Sequence, residues 1–257
     1  MNKKDKIKKY LSILRLNTAK DMLEEILIKA EKNDTSYQNT LHEILEIEVK
    51  AKQQRAQNRR FKQSKLNPDK NLKGFNFKFQ KSITKKEINQ LLDFEWLEQA
   101  FNLIFLGPPG VGKTHLANAI GIKAVNCGYK VKFFDMEKLI KILQTQEVVK
   151  KSRLELKRIK KCDLLIIDEI GYLPISKEEA NKFFKLISQL YEQTSIIITS
   201  NKGFSEWTEI LGEQEITTAI LDRIMHYSEI FNLKGRSYRL ECRENIIKNR
   251  GEKTAKV

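Results

Sequence analysis

Eight consecutive residues, Gly107-Pro108-Pro109-Gly110-Val111-Gly112-Lys113-Thr114, carry the strongest chemical signal in this chain. Glycine at the first and sixth positions, then Lys and Thr, is the P-loop pattern. Such glycines let the backbone curl until its N–H groups converge on phosphate oxygens, and the following helix adds partial positive charge. Gly107, Pro108, Pro109, Gly110, Val111, Gly112, Lys113, Thr114 and the adjoining His115 are therefore the expected ATP-binding residues. Lys113 would reach the β- and γ-phosphates, and Thr114 would ligate Mg²⁺.

A second signal is Asp163-Leu164-Leu165-Ile166-Ile167-Asp168-Glu169, an apolar strand ending in two carboxylates. Asp168 would hold Mg²⁺, and Glu169 is placed to polarise an attacking water as general base. The competing structural reading is a pair that caps the next helix. A third signal is Thr199-Ser200-Asn201 after the apolar run Ile196–Ile198; Asn201 could contact the γ-phosphate, although strands commonly end in such residues. A fourth is Asp222-Arg223, where Arg223 could reach a neighbouring subunit's nucleotide or simply pair with Asp222 on the surface.

These residues need a scaffold. Short apolar runs at 102–106, 130–134, 163–168, 195–200 and 229–233 alternate with helical stretches, which predicts a parallel sheet covered on both faces. Residues 1–66 read as helices from three- and four-residue apolar spacing, including Leu41, Ile44, Leu45 and Val49, with a polar break at Asn33–Ser36. Residues 67–84 form a basic, irregular linker. Lys85 to Ala100 reads as one amphipathic helix beside the first strand. An ATPase domain over 85–243 and a basic tail over 244–257 complete the expected layout.

GPPGVGKTHLANAI, DLLIIDEIGYLP, TSN and ILDRIMHYSEIFNLKGRSYR together resemble the IstB-like family. RRFKQSKLNPDKNLKGFNF and LLDFEWLEQAFNLIFLGPPG look like that family's joining segment, so the resemblance spans roughly residues 15–241. Those proteins are AAA+ ATPases that assist insertion-sequence transposases and are related to DnaC-type helicase loaders. The resemblance implies a three-layer α/β sandwich behind a small all-α domain. It also implies an ATP-dependent homo-oligomer on duplex DNA, with a transposase as partner. Residue by residue it assigns Lys113 and Thr114 to phosphate and metal, Asp168 and Glu169 to metal and water, Asn201 as first sensor and Arg223 as an arginine acting in trans. After Leu240 only 17 residues remain, too few for the family superfold's helical lid, so a second sensor (Arg236 or Arg239) is in doubt.

The formal net charge of +15 points to a polyanionic partner, nucleic acid before an anionic membrane, unless lysine-rich codon usage inflates it. Residues 50–86 hold thirteen Lys or Arg against one acid, Asp69. On a helix, Lys52, Arg55, Arg59 and Lys62 would form a stripe suited to duplex phosphates, or a solvated face. Phe75, Phe77 and Phe79 could stack single-stranded bases or dock the linker on a neighbour. A second basic run, Lys150–Lys161, could line a pore or be solvated. Cys127, Cys162 and Cys242 match no disulfide or zinc spacing and are expected to be buried free thiols. With no apolar run long enough for a membrane span and no secretory signal, a cytoplasmic protein is expected. A replicative helicase loader acting on single-stranded DNA, a P-loop small-molecule kinase and a non-hydrolysing nucleotide module are the alternative functions.

Overall fold

A computed structural model describes residues 2–171, 174–241 and 243; the expected 244–257 tail, Cys242 and the Tyr172-Leu173 pair of the DEIGYLP motif lie outside the described residues. The chain divides between Arg59 and Arg60 into two compact units.

The first unit holds α1 (Lys3–Ile13), α2 (Asn17–Lys32) and most of α3 (Tyr37–Ser64). The polar break at Asn33–Ser36 separates the last two, as its composition predicts. The apolar face of α2 buries Ala19, Leu23 and Ile26. On α3 the pattern is inverted. Leu41, Leu45 and Val49 remain 48–58% exposed, whereas Glu48 is 2% exposed. The reason is the start of α2, whose preceding residue Leu16 supplies no side-chain cap. Glu48 takes that role: it accepts the Ala19 N–H at 3.0 Å, satisfying a donor that a helix start leaves orphaned.

Arg55 then donates to Glu48 at 2.8 Å and to Thr18 Oγ1 at 2.9 Å. Burial alone would raise the Glu48 carboxyl, yet the Ala19 N–H and Arg55 together hold it below its ordinary value. Its stabilising effect is therefore present above the usual glutamate range and lost as pH falls through the lowered value. Arg55→Ala should destabilise the full-length chain by about 1–2 kcal/mol, less than for a fully buried pair because Arg55 is half exposed. Urea unfolding at neutral pH followed by helical signal tests this; an unchanged midpoint would show Glu48 to be satisfied without the arginine.

The second unit is a three-layer α/β sandwich. Its strands β1 (Asn102–Leu106), β2 (Val131–Asp135), β3 (Leu164–Ile170), β4 (Ser195–Ser200) and β5 (Ser228–Asn232) lie within two residues of the apolar runs read from sequence. All pair in parallel, in the order β2-β3-β4-β1-β5. Because side chains alternate across a strand, each strand feeds both faces. Leu103, Phe105, Leu164, Ile166 and Ile197 pack under α4 (Lys85–Leu91), α5 (Glu95–Glu98) and α6 (Lys113–Asn126). Ile104, Leu165, Ile167, Ile196 and Ile198 pack under α7 (Met136–Thr145), α8 (Lys150–Ile159), α9 (Lys177–Leu190), α10 (Trp207–Leu211) and α11 (Gln214–Met225).

Two local expectations need correction. The single helix over Lys85–Ala100 is two, α4 and α5, because Phe94 takes a left-handed conformation (φ +59°) between them and buries its ring. Thr84 and Glu87 form the capping box that starts α4. Cys127 is exposed, while Cys162 is buried and its thiol is pushed up to about 12 by desolvation. Most of the expected 67–84 linker lies against α6, as described below. Among the described residues, no helix is long and apolar enough to cross a membrane.

Candidate active site

The strand order puts β4 between β1 and β3, so the carboxyl ends of all three open on one edge, where ligands bind in such sheets. From β1 the P-loop runs into α6 and is closed on two sides by backbone. Gly107 N–H donates to the Ser200 carbonyl at 3.2 Å; Leu233 N–H donates to the Leu106 carbonyl at 2.7 Å and Tyr238 N–H to the Gly110 carbonyl at 3.0 Å. Two glycines have no substitute here. Gly107 (φ +144°) faces the Leu233 carbonyl where a side chain would stand, and a Cβ on Gly112 (φ +103°) would lie 2.7 Å from the Phe75 ring.

Lys113 is nearly buried, with its ammonium donating to the carbonyls of Gly107 at 2.6 Å and Pro108 at 2.9 Å. Desolvation lowers its pKa, partly offset by Asp168 and Glu169. Across the cleft, Asp168 Oδ1 accepts the Thr114 hydroxyl at 2.9 Å and the Thr199 hydroxyl as well. Burial raises the Asp168 carboxyl despite both hydrogen bonds. A hard divalent cation suits this pair, since Mg²⁺ commonly takes one or two carboxylates plus phosphate oxygens. Among the described residues, no cluster of three or more His, Cys, Asp or Glu offers an alternative metal cage.

Glu169 follows in a left-handed conformation (φ +61°), rare for a non-glycine residue and costing roughly 1–3 kcal/mol. The β3–β4 register shifts between Ile167 and Ile170 to accommodate it. The turn leaves Asp168 buried and Glu169 exposed, so adjacent carboxylates meet different environments.

A cavity of about 280 Å³ opens onto Lys113, Thr114 and Glu169. Its phosphate end is formed by the P-loop from Pro109 through His115, with Glu169 and Asn201. Its other end is aromatic, with Phe75 and Phe79 from the segment before α4 and Tyr238 from beyond β5. That earlier segment is fixed to α6. Asn118, 1% exposed, accepts the Asn67 N–H and donates to the carbonyls of Asn67 and Lys70; His115 bonds the Asn71 carbonyl at 2.7 Å. Gln80 donates to the carbonyls of Val111 and Lys234. Docking is thus what the phenylalanines do: Phe75 meets His115 edge-on at 5.5 Å and Phe79 meets Tyr238 at 5.1 Å.

A family model described as IstB-like ATP binding protein matches residues 9–245. The chain belongs to this family. An IstB-like relative in Pseudomonas aeruginosa, named for ATP binding in insertion sequence IS21, is 42% identical over 231 residues, covering 90% of this chain and 87% of that one. Another in Geobacillus stearothermophilus, named for ATP binding in insertion sequence IS5376, is 40% identical over 237 residues, covering 92% and 94%. Among solved structures, AMPPCP-bound DnaA from Aquifex aeolicus shares the fold, with a TM-score of 0.53 at 20% identity over 72% of this chain and 56% of that one.

Within this IstB-like chain, the residues picked out by sequence fall into three places. Pro109, Gly110, Val111, Gly112, Lys113, Thr114, His115, Glu169 and Asn201 line the cavity, with Asp168 bonded to Thr114 beside it and the Gly107 and Pro108 carbonyls holding Lys113. Of the two second-sensor candidates, Arg239 lines the cavity and Arg236 does not. Arg223 lies elsewhere, on α11: it donates to the Ala219 carbonyl at 2.8 Å and stacks 4.8 Å above the Phe184 ring, in a surface depression shared with Asp222. Lys52 and Arg59 are exposed in the first unit, Arg55 is engaged with Glu48, and Lys62 is exposed in the second unit. Sequence reasoning passed over Thr199 in favour of Asn201 and missed Lys70, Gln80 and Tyr238. For Thr199 a signal existed, a threonine two residues before the expected sensor, but strand ends carry threonine too often for it to stand out.

Proposed function

We propose that this chain hydrolyses ATP to ADP and phosphate and uses the cycle to assemble on duplex DNA in support of an insertion-sequence transposase. The observation that carries the ATPase reading is the split pair at the end of β3, with Asp168 buried against Thr114 and Glu169 exposed in the same cleft as Lys113 and Asn201. Lys113 binds and neutralises the terminal phosphates, and Asn201 orients the γ-phosphate or the water. Glu169 takes a proton from that water as its oxygen attacks the γ-phosphorus, and the bond to the β–γ bridging oxygen breaks to release ADP. Mg²⁺, held by Thr114 and Asp168, would screen the phosphate charge.

Arg223 supports assembly. It is absent from the lining of its own chain's cleft and is engaged at a surface by the Ala219 carbonyl and the Phe184 ring, as suits a residue that completes a neighbour's site. Mixing Arg223→Ala chains with Lys113→Ala chains should restore part of the turnover each has lost, because a mixed oligomer contains intact composite sites. No recovery in the mixture would place Arg223 outside catalysis.

The duplex-DNA reading rests on the insertion-sequence names of the relatives, the +15 charge and the exposed Lys52, Arg59 and Lys62. It is tested by binding the purified chain to long duplex and to single-stranded DNA, with and without ATP and Mg²⁺. The expected result is ATP-dependent binding that prefers duplex and weakens steeply with salt. A single-strand preference would point instead to a replicative helicase loader. Reversing charge at Lys52 and Arg59, and not at Arg55, probes the stripe without disturbing Glu48.

A further inference from the structure

We infer that Thr199 is a positioning residue for hydrolysis, its one hydroxyl setting both the carboxylate of Asp168 and the backbone of Glu169. The inference rests on the ATPase reading above and adds a residue to it. Thr199 is 1% exposed on β4, where a buried hydroxyl must find partners. It donates to Asp168 Oδ1 and accepts the Glu169 N–H at 3.0 Å. Both partners belong to β3, and they are the two adjacent residues whose side chains do different work.

The geometry makes the two bonds interdependent. A hydroxyl has one proton, and spending it on Asp168 turns the oxygen's lone pairs toward Glu169 N–H. That N–H opens the left-handed residue at the register shift, where the sheet ladder is interrupted. Thr199 thus replaces the missing ladder contact, and strained conformations of this kind persist only where neighbours over-determine them. Asp168 Oδ1 also accepts Thr114 Oγ1, so three strands' ends converge on one oxygen: the P-loop after β1, β3 itself and β4. Thr199 is the member of that group with no expected contact to nucleotide or metal. Its effect is to aim Glu169.

The test compares Thr199→Val, nearly the same shape without the hydroxyl, with Thr199→Ser, which keeps it, in the full-length chain. Thr199→Val is expected to lower kcat for ATP by about 10- to 100-fold, the range for losing a supporting hydrogen bond behind a functional group. Affinity for a non-hydrolysable ATP analogue should stay near wild type, and Thr199→Ser should recover most of kcat. If valine prevents folding, Thr199→Ala against Thr199→Ser serves, since both lack the methyl and differ only in the hydroxyl. Wild-type turnover in Thr199→Val, or an equal loss in Thr199→Ser, overturns the inference alone. A wild-type chain that binds ATP without turning it over overturns the ATPase reading, and this inference with it.

Discussion

Glu169→Gln is expected to abolish most ATP turnover, by about 10²–10⁴-fold, while leaving nucleotide binding in place. Glutamine matches glutamate in size but cannot accept the proton from water. Its backbone demand is the same, because the left-handed turn at residue 169 is held by Thr199 and the β3–β4 register shift and not by the side chain. The carboxylate is exposed, so no buried charge is removed and thermal stability should hardly move. If the ATP-bound form is the one that assembles on DNA, the variant should form complexes that no longer disperse once ATP is added. Phosphate release and complex lifetime, measured on the same preparation, would show both effects. Substantial residual turnover would mean that the proton leaves by another route and that Glu169 is a surface carboxylate at a strand end.

Asp168→Asn should do two opposite things: raise the stability of the nucleotide-free chain and destroy its Mg²⁺-dependent turnover. Burial raises the Asp168 pKa, so the folded state disfavours the ionised form. Between the ordinary aspartate value and the raised one, the folded chain holds more protons than the unfolded chain, and stability falls as pH rises through that window. Above the raised value the full penalty is present. Asparagine removes the charge, while its Oδ1 can still accept the hydroxyls of Thr114 and Thr199. A gain of about 1 kcal/mol would raise Tm by roughly 2–4 °C, and the gain should shrink in acid as the wild-type carboxyl protonates. With ATP and Mg²⁺ added, the order should reverse, because the wild type gains more from the ligand. A variant less stable than wild type at neutral pH would show that Asp168 is ionised comfortably and anchors the sheet edge by charge.

The sheet was legible because buried parallel strands are near-continuous apolar runs, and the phosphate loop because its glycines and lysine have few other uses. What escaped was whatever depended on partners distant in sequence. Residues 67–82 have no periodicity, so nothing announced that Asn118 and His115 on α6 would hold their backbone. The break at Phe94 lacks glycine or asparagine, the usual marks of a left-handed residue, and the amphipathic pattern runs straight across it. Arg55 looked like part of a solvent-facing stripe because its partner, Glu48, sits where an apolar residue was expected. Arg223 was equally placed to pair with Asp222; the structure instead engages it with Ala219 and Phe184.

The closure of the P-loop by Leu233 and Tyr238 also bears on how the chain behaves while it is being made. The loop and α6 leave the ribosome early, but the segment that covers Leu106 and Gly110 comes only after β2, β3, β4 and β5. At roughly 5–20 residues per second, the nascent chain spends several seconds with its phosphate loop open along one side. The closed form of the loop is therefore among the last features of the sheet edge to be completed. A chain interrupted anywhere before β5 would lack both the fifth strand and the cover of the loop. If assembly requires ATP held under that cover, as proposed above, such a fragment should stay out of it and leave the assemblies of intact chains undisturbed.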